Sequence, residues 1–506
     1  MKRIIALLMA LLMLLSLFAC GGGGNEKQKD ESTSADTTVK ADDTTEALRY
    51  PEDGPNYLPE LTYNGYTYKV LLAGSGIGGN FNDFGGESKS GYLLVSEAIA
   101  VRNAKIESDY DVVIEYVENF GSGGGNGVGY KAVMEDFLAA ESKYSICEIS
   151  TYDSAQLAIG NFLYDLNMLP HLDCSQKWWD KDAYDDLTIN DRLFFTTGDI
   201  SSVDNMATHC ILFSKDLAEM KNISVSDIYK SVDDGKWTLD TFNSLCANIS
   251  EDVNGDDVMN VEDRYAILTW NDAIQASLVG ARVRIASVNE NGEAELTLYS
   301  DRSDSVVNKF AEYFFDAKQC FNYSVVLQKS EYDVQRVRMF DEKRALFSCT
   351  VLNTVPKHRD SDLDFGILPY PKFEEAQEEY GSYVGASYSV MICVEKYITD
   401  EDMPVIGALT DAIAYESYVT VKPAYYDQTL IGRDVKDEES IACLDIIFGN
   451  RCFDIGIYYK IGSYTGKLTS MMKVSRNLLS SYYNSQLKQA KKEIEILNQK
   501  FAEWKN

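Results

Sequence analysis

From residue 60 onward, apolar and polar positions switch between two periods. Tyr66 to Ala73 (YTYKVLLA) is a β-rich apolar run that ends in the glycine-rich GSGIGGNFNDFGG, and Glu97 to Tyr110 then carries apolar residues at helical spacing. The pattern recurs, with a strand over Val112 to Val117, a helix over Tyr130 to Ser142 and a strand over Ser145 to Ser150. That last strand opens through Thr151-Tyr152-Asp153-Ser154 into a helix from Ala155 to Asn161. Alternation of this kind predicts an α/β fold, and in open α/β sheets ligands sit where strand C-ends meet helix N-termini. The loops Gly74 to Gly86 and Thr151 to Ser154 are therefore ligand loops by position. Further along, RLFFTTGDISSVDNMATHCILFS reads as paired strands, Leu217 to Ile249 as helices, Ala345 to Val351 and Phe365 to Leu368 as strands, and 402–422 as a helix. Ser485 to Trp504 is an amphipathic helix, expected to pack on its own domain.

The N-terminal pattern is of another kind. Lys2 and Arg3 precede the apolar stretch Ile4 to Leu15, and Leu17-Phe18-Ala19-Cys20 follows, a secretion signal ending in a lipobox. The apolar stretch is shorter than the roughly 20 residues that span a bilayer, so residues 1–19 are expected to be cleaved and Cys20 to carry the lipid. Residues 20–59 begin with glycine, serine, threonine and charge, too little apolar surface to offset the entropy of ordering, and are expected to act as a tether.

The remaining chain, roughly 450 residues, exceeds the length at which one core stops growing, which predicts two lobes. A net charge of −32 excludes nucleic acid as a partner, because like charges repel. Nine cysteines follow Cys20, an odd number with no CxxC pair and mostly inside apolar runs, so they read as buried small hydrophobes. The chain has no GxSxG, HExxH or GxxxxGK[ST], and its three histidines are scattered, which argues against a histidine-based triad or zinc site. A glycosidase needs only two carboxylates, so that chemistry stays open on sequence grounds.

One segment has metal-ligand spacing. Asp252, Asn254, Asp256, Val258 through its carbonyl, Asn260 and Asp263 stand at the ligand positions of a calcium loop, where alternating side chains converge on one cation. Asp257 replaces the usual glycine, and Asp263 is shorter than the usual bidentate glutamate; the alternative is an acidic solvated turn. Aromatics make up 12% of the chain and include 33 tyrosines. Sugar rings stack on aromatic planes while their hydroxyls take amide and carboxylate partners, so Asn80-Phe81-Asn82-Asp83, Tyr152-Asp153 and Trp270-Asn271-Asp272 suit a saccharide.

Several short segments, in order, carry a resemblance: the lipobox and tether, GNFLYDLNMLPHLDCSQKWWD, Lys236-Trp237-Thr238-Leu239-Asp240-Thr241-Phe242, Arg344-Ala345-Leu346-Phe347 and Phe365-Gly366-Ile367-Leu368-Pro369-Tyr370-Pro371. Together they resemble extracellular solute-binding protein family 1 of ABC importers, the maltose-binding-protein-like group. The resemblance implies a two-lobed periplasmic-binding-protein type II fold with a hinge, a non-enzymatic chain, a saccharide ligand in the interlobe cleft and a membrane permease as partner. It implies a first lobe of 60–197 plus 341–367 and a second of 198–340 plus 368–506, with crossings near Phe194 to Asp199 and Leu368 to Pro371. By position it implies ligand contacts from Asn80, Asn82, Asp83, Tyr152, Asp153, Trp270 and Asn271, from the segment Cys349 to Asn353, and from Tyr388. A lipid-anchored glycosidase is the alternative reading, and a surface adhesin a third.

Overall fold

Short runs of Val, Ile, Leu, Phe and Tyr, most of them buried along their length and the edge strand Val112–Glu118 half-open to solvent, build two five-stranded sheets in the computed structural model, which describes residues 49–74, 81–85, 92–121, 124–426, 435 and 437–504. Strands without a polar face demand cover on both sides, and helices supply it. In chain order the strands are β1 (Tyr66–Ala73), β2 (Val112–Glu118), β3 (Ile146–Ser150), β4 (Phe195–Thr196), β5 (His209–Ser214), β6 (Tyr265–Thr269), β7 (Cys320–Asn322), β8 (Ala345–Val351), β9 (Phe365–Leu368) and β10 (Val390–Cys393). The first sheet has the order β2-β1-β3-β10-β4 and the second β9-β5-β8-β6-β7. β1 runs parallel to β2 and β3, while β10 enters antiparallel, with Val390 opposite Ser150 and Cys393 opposite Cys147. In the second sheet β6 is parallel to β7 and β8, and β5 is antiparallel to β8 and β9.

The helices needed below are α1 (Leu93–Tyr110), α2 (Val128–Ala139), α3 (Thr151–Ile159), α4 (Tyr332–Asp341), α5 (Asp402–Pro423), α6 (Tyr464–Val474) and α7 (Leu479–Glu503). α5 packs on α1, where Arg102 Nη1 donates to Ser417 Oγ at 3.0 Å. Among the described residues no helix is long and apolar enough to cross a membrane. The nine cysteines after Cys20 are all buried and unpaired. Cys20, the leader, the tether up to Leu48 and Asn80 lie outside the described residues.

The structure departs from several expectations. β8 and β9, the strands of segment 341–367, pair with β5 and β6 in the second sheet, not in the first. β10, expected in the second lobe, completes the first sheet. Strand runs that are apolar on both faces carry no mark of their partner, so lobe membership is settled by long-range pairing alone. Leu368 to Pro371 accordingly stays with the second lobe. The chain crosses between β4 and β5, returns between Tyr383 and Val390, and crosses again between α5 and the helix Glu438–Phe448, which lies on β9. β4 and β5 are not partners; the short helix Val203–Met206 lies between them in the first crossing. α3 starts at Thr151, so Tyr152 and Asp153 stand in its first turn and not in a loop. α7 touches both lobes: Phe501 meets Phe194 with ring centroids 5.0 Å apart, and Asn498 exchanges hydrogen bonds of 2.8 Å with the backbone of Ala294.

Candidate ligand-binding site at the lobe crossing

Where β6 ends, the chain turns through Trp270, Asn271 and Asp272; where β7 ends, it continues into Tyr323 and Ser324. Both strand ends open into one cavity of about 550 Å³, also lined by Lys329, by Tyr332, Asp333 and Arg336 of α4, by Tyr388 of the second crossing and by Lys473 of α6. This is the strand-end position at which α/β sheets bind ligands.

Its aromatic wall is held by polar contacts. Trp270 Nε1 donates to Tyr388 Oη at 3.2 Å, and the Tyr388 hydroxyl donates to the Asp272 carboxylate. The Trp270 ring lies 6.0 Å from that of Tyr323 and 6.4 Å, edge-on, from that of Tyr388. Burial raises the Asp272 carboxyl above its ordinary range, opposed by the hydrogen bonds of Tyr388 and Trp270; burial and the Asp272 charge raise the Tyr388 phenol. Asn322 Nδ2 donates to Asn271 Oδ1 at 3.1 Å and sets that amide. Behind the wall, fully buried His209 packs 5.2 Å from Trp270 and 4.9 Å from Tyr383; burial lowers its pKa to about 3, so the ring is neutral. On the opposite side, Arg336 is fixed by Asp333, with Nε to Oδ1 at 2.9 Å, and by Thr354, with Nη1 to Oγ1 at 2.7 Å.

Trp270, Asn271 and Tyr388, taken from the sequence as ligand contacts, thus come together. Tyr152 lines a neighbouring cavity of about 350 Å³ with Tyr458, Tyr459, Lys460 and Lys500. The Lys460 ammonium lies 4.3 Å from the centre of the Tyr152 ring, and burial raises the Tyr152 phenol to about 12, with Ser387 beside it opposing the shift and Asp272 adding to it.

Three other expected contacts face elsewhere. Asp153 is fully buried and accepts from the backbone N–H groups of Gly125, Gly127 and Tyr130 at 2.8, 2.9 and 3.2 Å, which ties the glycine-rich turn to the start of α2. Asn82 accepts from the N–H groups of Phe84 and Gly85 and donates to Glu118, closing its own turn. Asp83 accepts from Ser202 N at 3.0 Å, on the first crossing. None of the three lines either cavity. Of the segment Cys349 to Asn353, no residue lines the larger cavity either; Thr350 reaches it only by holding Arg336. Asp272 stood in the sequence-marked Trp270-Asn271-Asp272 group, while Tyr323, Ser324, Lys329, Tyr332, Asp333, Arg336 and Lys473 are lining residues that the sequence did not mark. Asn322-Tyr323 repeats the aromatic-beside-amide signal at a strand end, whereas Arg336 arrives on a helix that only tertiary packing brings to the cavity.

In the 252–263 loop, Asp252 accepts from Gly255 N and Asp257 N at 2.7 and 2.8 Å, Asn254 Nδ2 donates to Asp256, and Asn260 Nδ2 donates to the carbonyl of Val258. Buried Asp263 gathers the N–H groups of Val253 and Asn260. Among the described residues no three His, Cys, Asp or Glu side chains converge as a metal-binding group.

The sequence matches no family model and no curated protein. Solved structures do match. The chain is similar to the galacto-N-biose-/lacto-N-biose I-binding protein of the ABC transporter from Bifidobacterium longum, in complex with lacto-N-biose, at 9% identity and a TM-score of 0.56, covering 85% of this chain and 98% of that one. A cyclo/maltodextrin-binding protein complexed with maltotetraose matches at 11% identity and 0.54, over 85% and 97%. The ABC substrate-binding protein Lmo0181 from Listeria monocytogenes, in complex with cycloalternan, matches at 11% and 0.52, over 85% and 99%. At such identities the likeness establishes architecture, and the chain has the two-lobed α/β fold of the periplasmic-binding-protein type II class.

Proposed function

We propose that this chain is the substrate-binding protein of an ABC importer, held at the extracytoplasmic face of the membrane by a lipid on Cys20, and that it captures a saccharide at the lobe crossing and delivers it to a permease. The observation that carries the reading is the cavity at the ends of β6 and β7, where Trp270, Tyr323, Tyr332 and Tyr388 offer ring faces beside the polar groups of Asn271 and Asp272. Pockets for small ligands combine apolar walls with a few placed polar groups in this way. The position of Tyr388 on a crossing segment lets lobe movement couple to ligand contact. Three structures of the same fold hold lacto-N-biose, maltotetraose and cycloalternan, which supports a saccharide ligand. The reading includes calcium in the 252–263 loop as a structural clip, supported by the ligand spacing of Asp252, Asn254, Asp256, Val258, Asn260 and Asp263.

Thermal-shift titration of the purified protein with a saccharide panel tests the function, because a ligand that binds only the folded state raises the melting temperature. A shift with the saccharide recovered unchanged is expected; conversion of the saccharide, or no shift with any of them, overturns the reading. Calcium is expected to raise the melting temperature and Asp252→Ala to abolish that rise. Mass spectrometry of detergent-extracted protein is expected to find the lipid on Cys20.

A further inference from the structure

The charge around the cavity runs against the charge of the chain. Acidic residues number 79 and basic ones 47, yet the cavity lining holds three cationic side chains, Lys329, Arg336 and Lys473, against two carboxylates, Asp272 and Asp333. Both carboxylates are engaged. Asp272 accepts from Tyr388, and Asp333 pairs with Arg336 at 2.7 Å and with Lys357 at 3.5 Å. Lys329 and Lys473 are exposed at the cavity, and neither has a carboxylate within ion-pair distance among the described residues. Among the described residues, most lysines and arginines that line no cavity, such as Lys105, Lys181 and Lys309, do have such a partner. Two uncompensated ammonium groups beside an aromatic wall complement a ligand that brings its own negative charge.

We infer that the saccharide bound in this cavity is a uronate, whose sugar ring lies on the Trp270 and Tyr323 side while its carboxylate is taken by Lys329 and Lys473. The inference rests on the saccharide-binding function proposed above and specifies its ligand. An ammonium is a compact charge on a flexible stem, so two lysines accept a carboxylate without the fixed fork that an arginine imposes. Arg336 is already committed to Asp333 and Thr354 and holds the cavity floor.

The test is calorimetric titration of the protein with di- to tetrasaccharides of galacturonate, glucuronate and mannuronate, each beside its methyl ester, which keeps the ring and removes the charge. One of the acids is expected to bind about tenfold or more tighter than its ester, a preference that weakens as salt is raised. In the Lys329→Gln/Lys473→Gln variant, both changes on exposed side chains that the fold does not need, the preference is expected to fall to about twofold or less. An ester that binds as well as its acid, a preference that survives in the variant, or binding of neutral saccharides alone overturns the inference and leaves the saccharide-binding function standing. Binding of no saccharide of either kind overturns that function as well.

Discussion

Replacing Glu148 with glutamine is expected to stabilise the protein, and increasingly so as pH rises. Glu148 on β3 and Asp83 are 2% and 1% exposed. Ser201 Oγ donates to Glu148 Oε1 at 2.7 Å and lies 3.2 Å from Asp83 Oδ2, which also accepts from Ser202 N. Asp83 Oδ1 and Glu148 Oε2 have no donor among the described residues. Two buried carboxyls in contact, with oxygens left over, are satisfied when they share one proton. Burial raises both above the ordinary carboxylate range, Glu148 the more strongly because the Asp83 charge adds to it, and the nearby Arg102 guanidinium opposes the shift in each. The sign follows. In the unfolded chain both groups ionise in the ordinary range, so above it the native state holds a proton that the unfolded state has lost, and stability falls with pH by about 1.4 kcal/mol per unit for one proton. Below that range the pair costs nothing in this sense. Glutamine supplies the shared proton permanently as an amide N–H toward Asp83 while its oxygen still accepts from Ser201.

Glu148→Gln should therefore gain on the parent by about 1.4 kcal/mol per pH unit, as much as roughly 2.7 kcal/mol between pH 5 and pH 7. Asp204, raised to about 7 by burial, and Asp411 and Asp454, each raised to about 6 by burial, tilt both proteins alike and cancel in the difference. Urea unfolding followed by tryptophan fluorescence at pH 5, 6 and 7 reads that difference directly. Parallel profiles for parent and variant, or a variant less stable at pH 7, refute the shared proton.

Tyr388→Phe removes the hydroxyl that joins Trp270 Nε1 to the Asp272 carboxylate, and leaving both partners short costs about 1–3 kcal/mol of stability, read by urea denaturation, with weaker saccharide binding in calorimetry. Asp153→Ala releases three backbone N–H groups and costs about 1–3 kcal/mol of stability, while the affinity of the folded fraction changes by less than about twofold, since the carboxylate does not face the cavity. Gly407→Ala inside α5 places a methyl 1.9 Å from the carbonyl oxygen of Pro170, and that overpacking lowers stability by about 1–3 kcal/mol or more. Gly466→Ala inside α6 meets nothing within 4 Å and raises stability by about 0.5–1 kcal/mol through helix propensity; equal effects at the two glycines in thermal unfolding would contradict the packing around α5.

The strands Tyr66–Ala73, Ala345–Val351 and Phe365–Leu368 were legible to the residue because each is a β-rich run followed by glycine, a short helix or proline, and these local signals suffice to end a strand. Their placement was not legible. β10 sits between β3 and β4, about 240 residues from β3, and nothing in VMIC distinguishes a strand of one lobe from a strand of the other. Connection length and composition leave that choice open, and it is made by which exposed edge each strand completes.

The candidate site divides along a physical line. Asn82 and Asp83 were expected at the ligand because they stand in a glycine-rich loop, and Asp153 because it stands where a strand opens into a helix, but glycine-rich turns leave backbone N–H groups that need acceptors when buried. A short side chain with two lone-pair-rich oxygens meets two or three of them at once, so it is consumed by the turn it fastens, as Asp153 in the first turn of α3 is by Gly125, Gly127 and Tyr130. Trp270 and Tyr388 obey the opposite constraint. Each has one donor and a broad ring; once the donor is spent, on Tyr388 for the one and Asp272 for the other, nothing further ties the ring to the backbone. An aromatic next to an amide at a strand end therefore predicts a ligand-facing surface, while a carboxylate in a tight glycine-rich turn predicts a loop fastener. The calcium-type loop repeats that second behaviour, with Asp252 closing the turn at Gly255 and Asp257.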